Sequence, residues 1–523
     1  MRKVKKAVAG ILIFALAVLC LGGCGGTGNS GDEGKKSNKG GDSATDIEIS
    51  YWNSGLGTKW LDAIIEAFTK EYPEYNVYYK AVADDAATVS AIGMEDVDTI
   101  DLYMTLQTFD NSYLESLDSL LDKKCEDDSK TLREKFDKRY LDLEINRDGK
   151  CYSLTYGGGI LGLVYNKELF KKAGITQLPR TTDELAKVCD TLYNQDIPAL
   201  THFTNGGYWQ FITEVWMAQN DGMDYYLNNL YGCMDENGNS PSKEVFTKKD
   251  GRYQALLAYE KIVTPEYVLA GSNSNDHITA QTMFMNDAAA MMVNGSWLSN
   301  EMESAGTLDK FEMMKIPVIS SITDRLNTVK TEGNLRKLIS AVDSVANGEK
   351  TLADYEKDGG YDVEGVAVSK EDWDIVYEAR NSLAINYPGE VCMIPKYAKA
   401  KEGAMKFLEF FYSDKGYKIY TDTIHMIYPM NLSEGQLDTS SWNVFEKSQV
   451  TLQNQAVNYV SSVNASKHSI YIDGGAHPFA SVSFIDAFCT KNPADRLTAD
   501  EVWAQIQEKV NDNYEQNWLA NIK

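Results

Sequence analysis

The stretch YGGGILGLVYNKELFKKAGITQLPRTTDELAKV, residues 156–188, decides how the chain folds. Its glycines at 157, 159 and 162 spell the G-x-G-x-x-G of a dinucleotide-binding loop. Such a loop must follow a strand and open a helix whose amide groups meet the anion. Here the glycines lead instead into LGLVYN, an apolar strand, and then into a turn and the short helix NKELFKKAG. Pro179 and the capping box Thr181-x-x-Glu184 open a further helix through Tyr193. The glycine segment therefore reads as a crossing strand whose backbone takes angles closed to other residues and lets a ligand come near. A phosphate cradle is set aside.

Upstream, Ile47, Ile49 and Tyr51 alternate with Glu48 and Ser50, as in a half-buried strand. Trp60, Leu61, Ile64, Ile65 and Phe68 recur at helical spacing until Pro73. Val77 to Tyr79 and Ile100 to Met104 read as strands, and the β/α alternation predicts a mostly parallel sheet with ligands at its carboxyl ends. Downstream come a helix near 276–286, the strand AAAMMVNG with Trp297 just past it, a second strand at Ile316, Pro317 and Val318, and an amphipathic helix at 400–412. The region 320–382 carries helical periodicity in NLRKLISAVDSV and KEDWDIVYEARN, and reads as a helical insertion.

The ends and composition add to this. Arg2, Lys3, Lys5 and Lys6 precede an apolar run from Ala7 to Leu21, which predicts a signal peptide over 1–23. The run is short for a membrane span of roughly 20 apolar residues. Leu21-Gly22-Gly23-Cys24 resembles a bacterial lipobox, with Cys24 the lipidated residue; Cys20 is the poorer candidate because Leu19 precedes it. Residues 24–46, rich in glycine, serine, asparagine and charge, read as a flexible tether. The expected location is the extracellular face of the cell membrane.

About 480 residues remain, more than one core usually supports, so two lobes are expected. Removing the four basic residues of the signal takes the formal charge from −25 to −29. That balance argues against nucleic acid as a partner, since phosphate contacts need lysine and arginine. Cys125, Cys151, Cys189, Cys233, Cys392 and Cys489 are too far apart for a zinc motif and too sparse for a disulfide scaffold, which leaves mostly buried free thiols with one or two bridges open. The five histidines form no H-E-x-x-H cluster. A calcium loop starting at Asp235 fails at Ser240 and Phe246. No G-x-S-x-G elbow is present. Neither a metal nor a cofactor is expected.

Three stretches together resemble the extracellular solute-binding proteins of ABC importers, the family that includes maltose-binding protein. They are residues 156–188, FMNDAAAMMVNGSWL at 284–298, and GEVCMIPKYAKAKEGAMKFLEFFYSDKGYKIY at 389–420, with IYPMN after the last. The resemblance implies an α/β fold of two lobes, periplasmic-binding-protein-like (type II), with hinge strands and a ligand cleft. On this mapping lobe 1 is 47–156 and 317–412, including the insertion, and lobe 2 is 157–316 and 413–523. Crossings fall near 156–158, at 316–318 and after Tyr412.

The resemblance also implies a binding protein with no catalysis, which captures a carbohydrate, most simply an oligosaccharide, and hands it to permease subunits. The same fold could take a peptide, a polyamine or another solute. A glycoside hydrolase would need two carboxylates facing across the cleft. Sugar binding calls for aromatic faces and polar groups around the hydroxyl edge. Trp297 matches the family tryptophan after asparagine-glycine that stacks on ligand. Tyr208, Trp209 and Gln210 follow a glycine turn where the second lobe contributes cleft residues; Trp216 reads as core. Trp52 and Asn53 end the first strand, and Tyr156 and Gly159 border the hinge. The acidic residue that sugar-binding members can carry near Gly159 is absent. Asp101 and Asp110 are further candidates, against a competing role as helix or loop caps. A monomer is expected.

Overall fold

The computed structural model describes residues 35–36, 44–53, 55–106, 109–125, 129–146, 148–157, 159–386, 389–427, 429–432, 435–461, 484–490 and 492–514. The expected signal peptide, Cys24, most of the tether and Gly158 lie outside the described residues. Contacts group the chain into Met1–Lys35 and Lys36–Lys523, and every element named here falls in the second.

β1 (Thr45–Trp52) buries Ile47, Ile49 and Tyr51 on the alternation its sequence predicts. α1 (Lys59–Glu71) lays Trp60, Leu61, Ile64, Ile65 and Phe68 along one face over that strand, and stops before Pro73. β2 (Tyr75–Val82) returns parallel to β1 with Val77 opposite Ile47. β3 (Leu102–Thr105) lies parallel on the other side, Leu102 opposite Ile49. After β4 (Leu154–Thr155) the chain passes to a second sheet through β5 (Ile160–Asn166), which is buried along its whole length.

The second sheet then gains α2 (Thr182–Tyr193), β6 (Leu200–Thr201), α3 (Trp209–Asp221), α4 (His277–Met285), β7 (Met291–Gly295), the short α5 (Leu298–Glu301) and β8 (Phe311–Met314). Helices α6 (Glu332–Ala346) and α7 (Lys370–Arg380) follow, then β9 (Ser382–Ile385). β10 (Val391–Met393), α8 (Lys401–Phe411) and α9 (Asp414–Ile424) come next, and finally α10 (Val444–Gln455) and β11 (Asn458–Val460).

In space the first sheet runs β2-β1-β3-β10-β4 and the second runs β11-β9-β5-β7-β6, with β8 also on β5. One apolar core, including Trp60, Phe407 and Tyr417, serves the first sheet. Another, including Leu163, Trp216 and Tyr259, lies on the second.

Two crossings differ from the sequence expectation. Ile316, Pro317 and Val318 do not carry the chain back to the first sheet. Val318 bridges in parallel to Thr181, its N–H donates to the Arg180 carbonyl at 2.8 Å, and Trp216 Nε1 donates to the Pro317 carbonyl at 2.9 Å. The inserted helices stay there as well. Leu335, Leu338 and Ile339 of α6, with Trp373 and Val376 of α7, fill the same core as Trp216. Their apolar faces need a partner: α6 packs on α7 and α7 on α3, where Gln219 Nε2 donates to the Ala379 carbonyl at 2.9 Å. β9 then pairs antiparallel with β5, so the return to the first sheet falls between Ile385 and Val391. The third crossing is also later than expected. Tyr417, Tyr420 and Ile424 of α9 pack in the first core, and the chain leaves it only after Met430.

Among the described residues Cys151, Cys189, Cys392 and Cys489 are buried free thiols, Cys233 is buried as well, and Cys125 is half-buried.

Candidate functional site

Gly159 has φ of 70°, and a Cβ there would lie 2.5 Å from the Cβ of Ser296. The first crossing therefore passes directly against the residue after β7. Ser296 N donates to the Ile160 carbonyl at 3.0 Å, and Ser296 Oγ accepts from Ile160 N at 3.1 Å. The glycine allows this close approach of the crossing to Ser296.

Trp297 follows at once. A Cβ on Gly295 would stand 2.4 Å from the indole ring, so the indole folds back over the end of β7. The Tyr208 ring meets it edge-on at 5.2 Å, and Phe203 meets Tyr208 edge-on at 5.0 Å. Tyr208 reaches this position because Gly206 and Gly207, both at positive φ, turn the chain just before α3. Trp297 Nε1 is buried near the Tyr208 hydroxyl and meets no well-aligned acceptor among the described residues.

Glu301 closes α5, one helical turn past Trp297, and its N–H donates to the Trp297 carbonyl at 3.0 Å. Its Oε2 accepts from Gln281 Nε2 of α4 at 2.7 Å. Its Oε1 lies 2.7 Å from where a Gly55 Cβ would be, so the loop after β1 comes up against this carboxylate. On the other side of that loop, a Cβ on Gly157 would meet Leu56 Cδ1 at 2.9 Å and Glu390 Oε2 at 2.8 Å. The first and second crossings lie side by side here, since Tyr156 N donates to the Glu390 carbonyl at 2.8 Å. A groove beside the same loop is lined by Asn53, Gly55, Gly57 and Lys59 from one body and by Asn300 and Glu303 from the other.

Burial raises the pKa of the Tyr208 hydroxyl, and Glu301 and Glu390 push it the same way; the nearby Trp297 N–H offsets this in part. The Glu301 carboxyl is raised too, by burial first, against the lowering effect of Gln281 and of His277. The site is thus an aromatic pair flanked by two carboxylates. Among the described residues no group of three or more His, Cys, Asp or Glu is arranged to hold a metal ion.

Of the candidates read from sequence, Trp297 and Tyr208 meet each other, Asn53 lines the groove, and Gly159 is main-chain wall. Trp52 is half-buried at the end of β1, and Gln210 is exposed on the first turn of α3. Four others are placed elsewhere. Trp209 is buried in the second core, edge-on to Tyr259 at 5.4 Å, because the first residue of α3 points inward. Tyr156 is buried against Trp60 at 5.5 Å. Asp101 sits at the far end of β3 from the groove, where its carboxylate accepts from Glu48 N at 3.0 Å and Ala400 N at 2.7 Å. Asp110 is exposed and caps a short turn, accepting from Ser112 N at 2.8 Å. Both aspartates are caps. Glu301, Gln281, Glu390 and Ser296 were not singled out. The i, i+4 spacing of Trp297 and Glu301 was the available signal for one of them.

The family model for bacterial extracellular solute-binding proteins matches residues 54–418. The chain belongs to this family. A binding protein of Brucella abortus (strain 2308) is 26% identical over 170 residues, which span 32% of this chain and 38% of that relative's length. Among solved structures, the bacterial solute receptor AcbH, described as preferring β-D-galactopyranose, matches with a TM-score of 0.60 at 14% identity, covering 91% of this chain and 99% of its own. The GacH receptor of Streptomyces glaucescens GLA.O, described unliganded and with acarbose, matches at 0.56 and 16% identity, covering 92% and 100%. Maltose-bound MalE3 of T. maritima matches at 0.54 and 14%, covering 90% and 100%. This solute-binding protein therefore has the two-lobed α/β fold of periplasmic-binding-protein-like receptors.

Proposed function

We propose that this protein is a lipid-anchored receptor on the extracellular face of the membrane that captures a carbohydrate, an oligosaccharide, and delivers it to the permease subunits of an ABC importer. Cys24 is the proposed anchor, and the protein acts as a monomer without catalysis. Of the described residues, the proposed lobes take 45–155 with 391–432, and 160–385 with 444–461, 484–490 and 492–514. The observation that carries the reading is the Trp297–Tyr208 pair, 5.2 Å apart at the end of β7, opposite the first-sheet loop around Gly55. An indole face suits the C–H side of a pyranose, and Glu301 and Glu390 are acceptors for its hydroxyls.

Capture works by differential contact. A solute held by both walls stabilises the closed form, whereas one held by a single wall leaves the equilibrium unmoved. The permease then reads closure as occupancy. Thermal unfolding across a panel of mono- and oligosaccharides, peptides and polyamines tests this. A sugar at about 100 times its Kd adds roughly 2.7 kcal/mol, and Trp297→Ala abolishes the shift while chromogenic glycosides stay intact. Stabilisation by peptides alone, or turnover of a glycoside, overturns the reading.

A further inference from the structure

The unsatisfied groups around Trp297 specify more than a neutral sugar. Gln281 is fully buried; its Nε2 is used on Glu301 at 2.7 Å, while its Oε1 has no hydrogen-bond partner among the described residues. Glu301 makes no ion pair among the described residues, and no lysine or arginine hydrogen-bonds to it. Lys59, in the adjacent groove, pairs with Glu303 at 3.2 Å. His277, which faces Glu301 from α4, is exposed. A carboxylate that accepts one neutral hydrogen bond and meets no cation, and an amide oxygen that accepts none, are thus joined to each other one helical turn past Trp297. Trp297 Nε1 is a buried donor with no well-aligned acceptor among the described residues, its nearest polar neighbour being the Tyr208 hydroxyl.

Resting on the capture reading, we propose that the ligand is an amino sugar whose protonated amine is bound by Glu301 and Gln281 Oε1 beside the Trp297–Tyr208 pair. An ammonium carries three donors and no acceptor, which matches the unpartnered Gln281 Oε1 and the remaining acceptor capacity of the Glu301 carboxylate and leaves one donor for a ligand or solvent oxygen. Its charge answers a carboxylate withdrawn from water, where a hydroxyl gives a hydrogen bond but no countercharge. The aromatic faces attract a cation directly. The ring oxygen or a hydroxyl of the same sugar accepts from Trp297 Nε1, a contact that a bare polyamine has no oxygen to make. The formal charge of −25 favours approach of a cationic solute.

Calorimetric titration at pH 7 tests this with glucosamine oligomers, glucose oligomers of equal length, their N-acetylated counterparts and spermidine, on the wild type and on Glu301→Gln. The variant keeps the Gln281 contact and removes the charge. Expected is a preference for the glucosamine oligomer over both neutral ones of at least about tenfold, falling below roughly threefold in Glu301→Gln, with the unfolding midpoint unchanged. Equal affinity for glucose and glucosamine oligomers overturns the amine assignment while leaving carbohydrate capture standing, as does a preference that survives in Glu301→Gln. Binding of spermidine more tightly than any oligosaccharide, or of no oligosaccharide at all, overturns both.

Discussion

At the scale of single residues, the site depends on a side chain that is missing. Gly295 leaves the space in which the Trp297 indole rests, and a methyl there would meet the ring at 2.4 Å. In Gly295→Ala the indole must leave its place or β7 must shift, and overpacking of this kind costs about 1–3 kcal/mol. Urea unfolding should show that loss, and the sugar titration should show weaker binding because the stacking face has moved. An unchanged midpoint with unchanged affinity would mean the indole is not held where the structure puts it. Tyr208 and Trp209 show why residue chemistry alone does not assign a site. They are adjacent and both aromatic, yet Tyr208 turns to Trp297 while Trp209 turns into the core beside Tyr259. The sequence carries both rings, and only the start of α3 decides which faces which way.

At the scale of elements, the inserted helices owe their place to a buried charge. Asp372 of α7 is fully buried, and its carboxylate accepts from Asn327 N at 2.6 Å, from Thr328 N and Oγ1 at 2.7 Å each, and from Val329 N at 3.0 Å. Burial alone would raise its pKa, but these donors outweigh it and hold the carboxyl below its ordinary range. Asp372→Asn turns part of an acceptor into a donor facing N–H groups, which should cost about 2 kcal/mol at pH 7. A carboxyl whose folded pKa is depressed contributes fully above its unfolded value, and that contribution is lost as pH falls through the folded one. The gap between wild type and variant should therefore hold above about pH 5 and close in stronger acid; pH-resolved denaturation measures it.

Most elements were legible before the fold was known. The alternation in β1, the helical spacing of α1 and the Thr181 cap of α2 each rest on contacts within a few residues. What was not legible depends on distant partners. The three residues Ile316, Pro317 and Val318 have strand composition but form no named strand, since Val318 finds only Thr181. The periodicity of α6 and α7 announced apolar faces without naming the core that receives them. Glu390 reads as one acid among many until the two crossings come together.

At the scale of the whole molecule, the third passage between the bodies carries a titratable contact. His425 ends α9, whose Ile424 packs in the first core, and takes the left-handed conformation at φ of 54°. Its ring stacks on Trp442 at 5.2 Å, and its Nδ1 lies 2.9 Å from Glu446 of α10. Glu446 also accepts from Asn443 N at 2.8 Å and from Ser299 Oγ of α5, which ties it to the second body. The hydrogen bond to Glu446 raises the His425 pKa above its ordinary value; burial works against it, and the charges of Glu446 and Asp422 add to it.

A histidine whose folded pKa is raised gives an attraction that is complete below the unfolded value near 6.5 and is lost as pH rises through the folded one. Because the imidazole is partly exposed, the effect is limited to about 1 kcal/mol, or roughly fivefold in a population ratio. The conformer in which His425 meets Glu446 should therefore be more populated at pH 5.5 than at pH 8.5. Small-angle scattering of the empty protein should register this as a radius of gyration that changes between the two pH values and returns on reversal. In Glu446→Gln the radius should stay flat across the same range. A radius that is constant in the wild type, or that changes equally in both proteins, would take the His425–Glu446 contact out of the balance between open and closed forms.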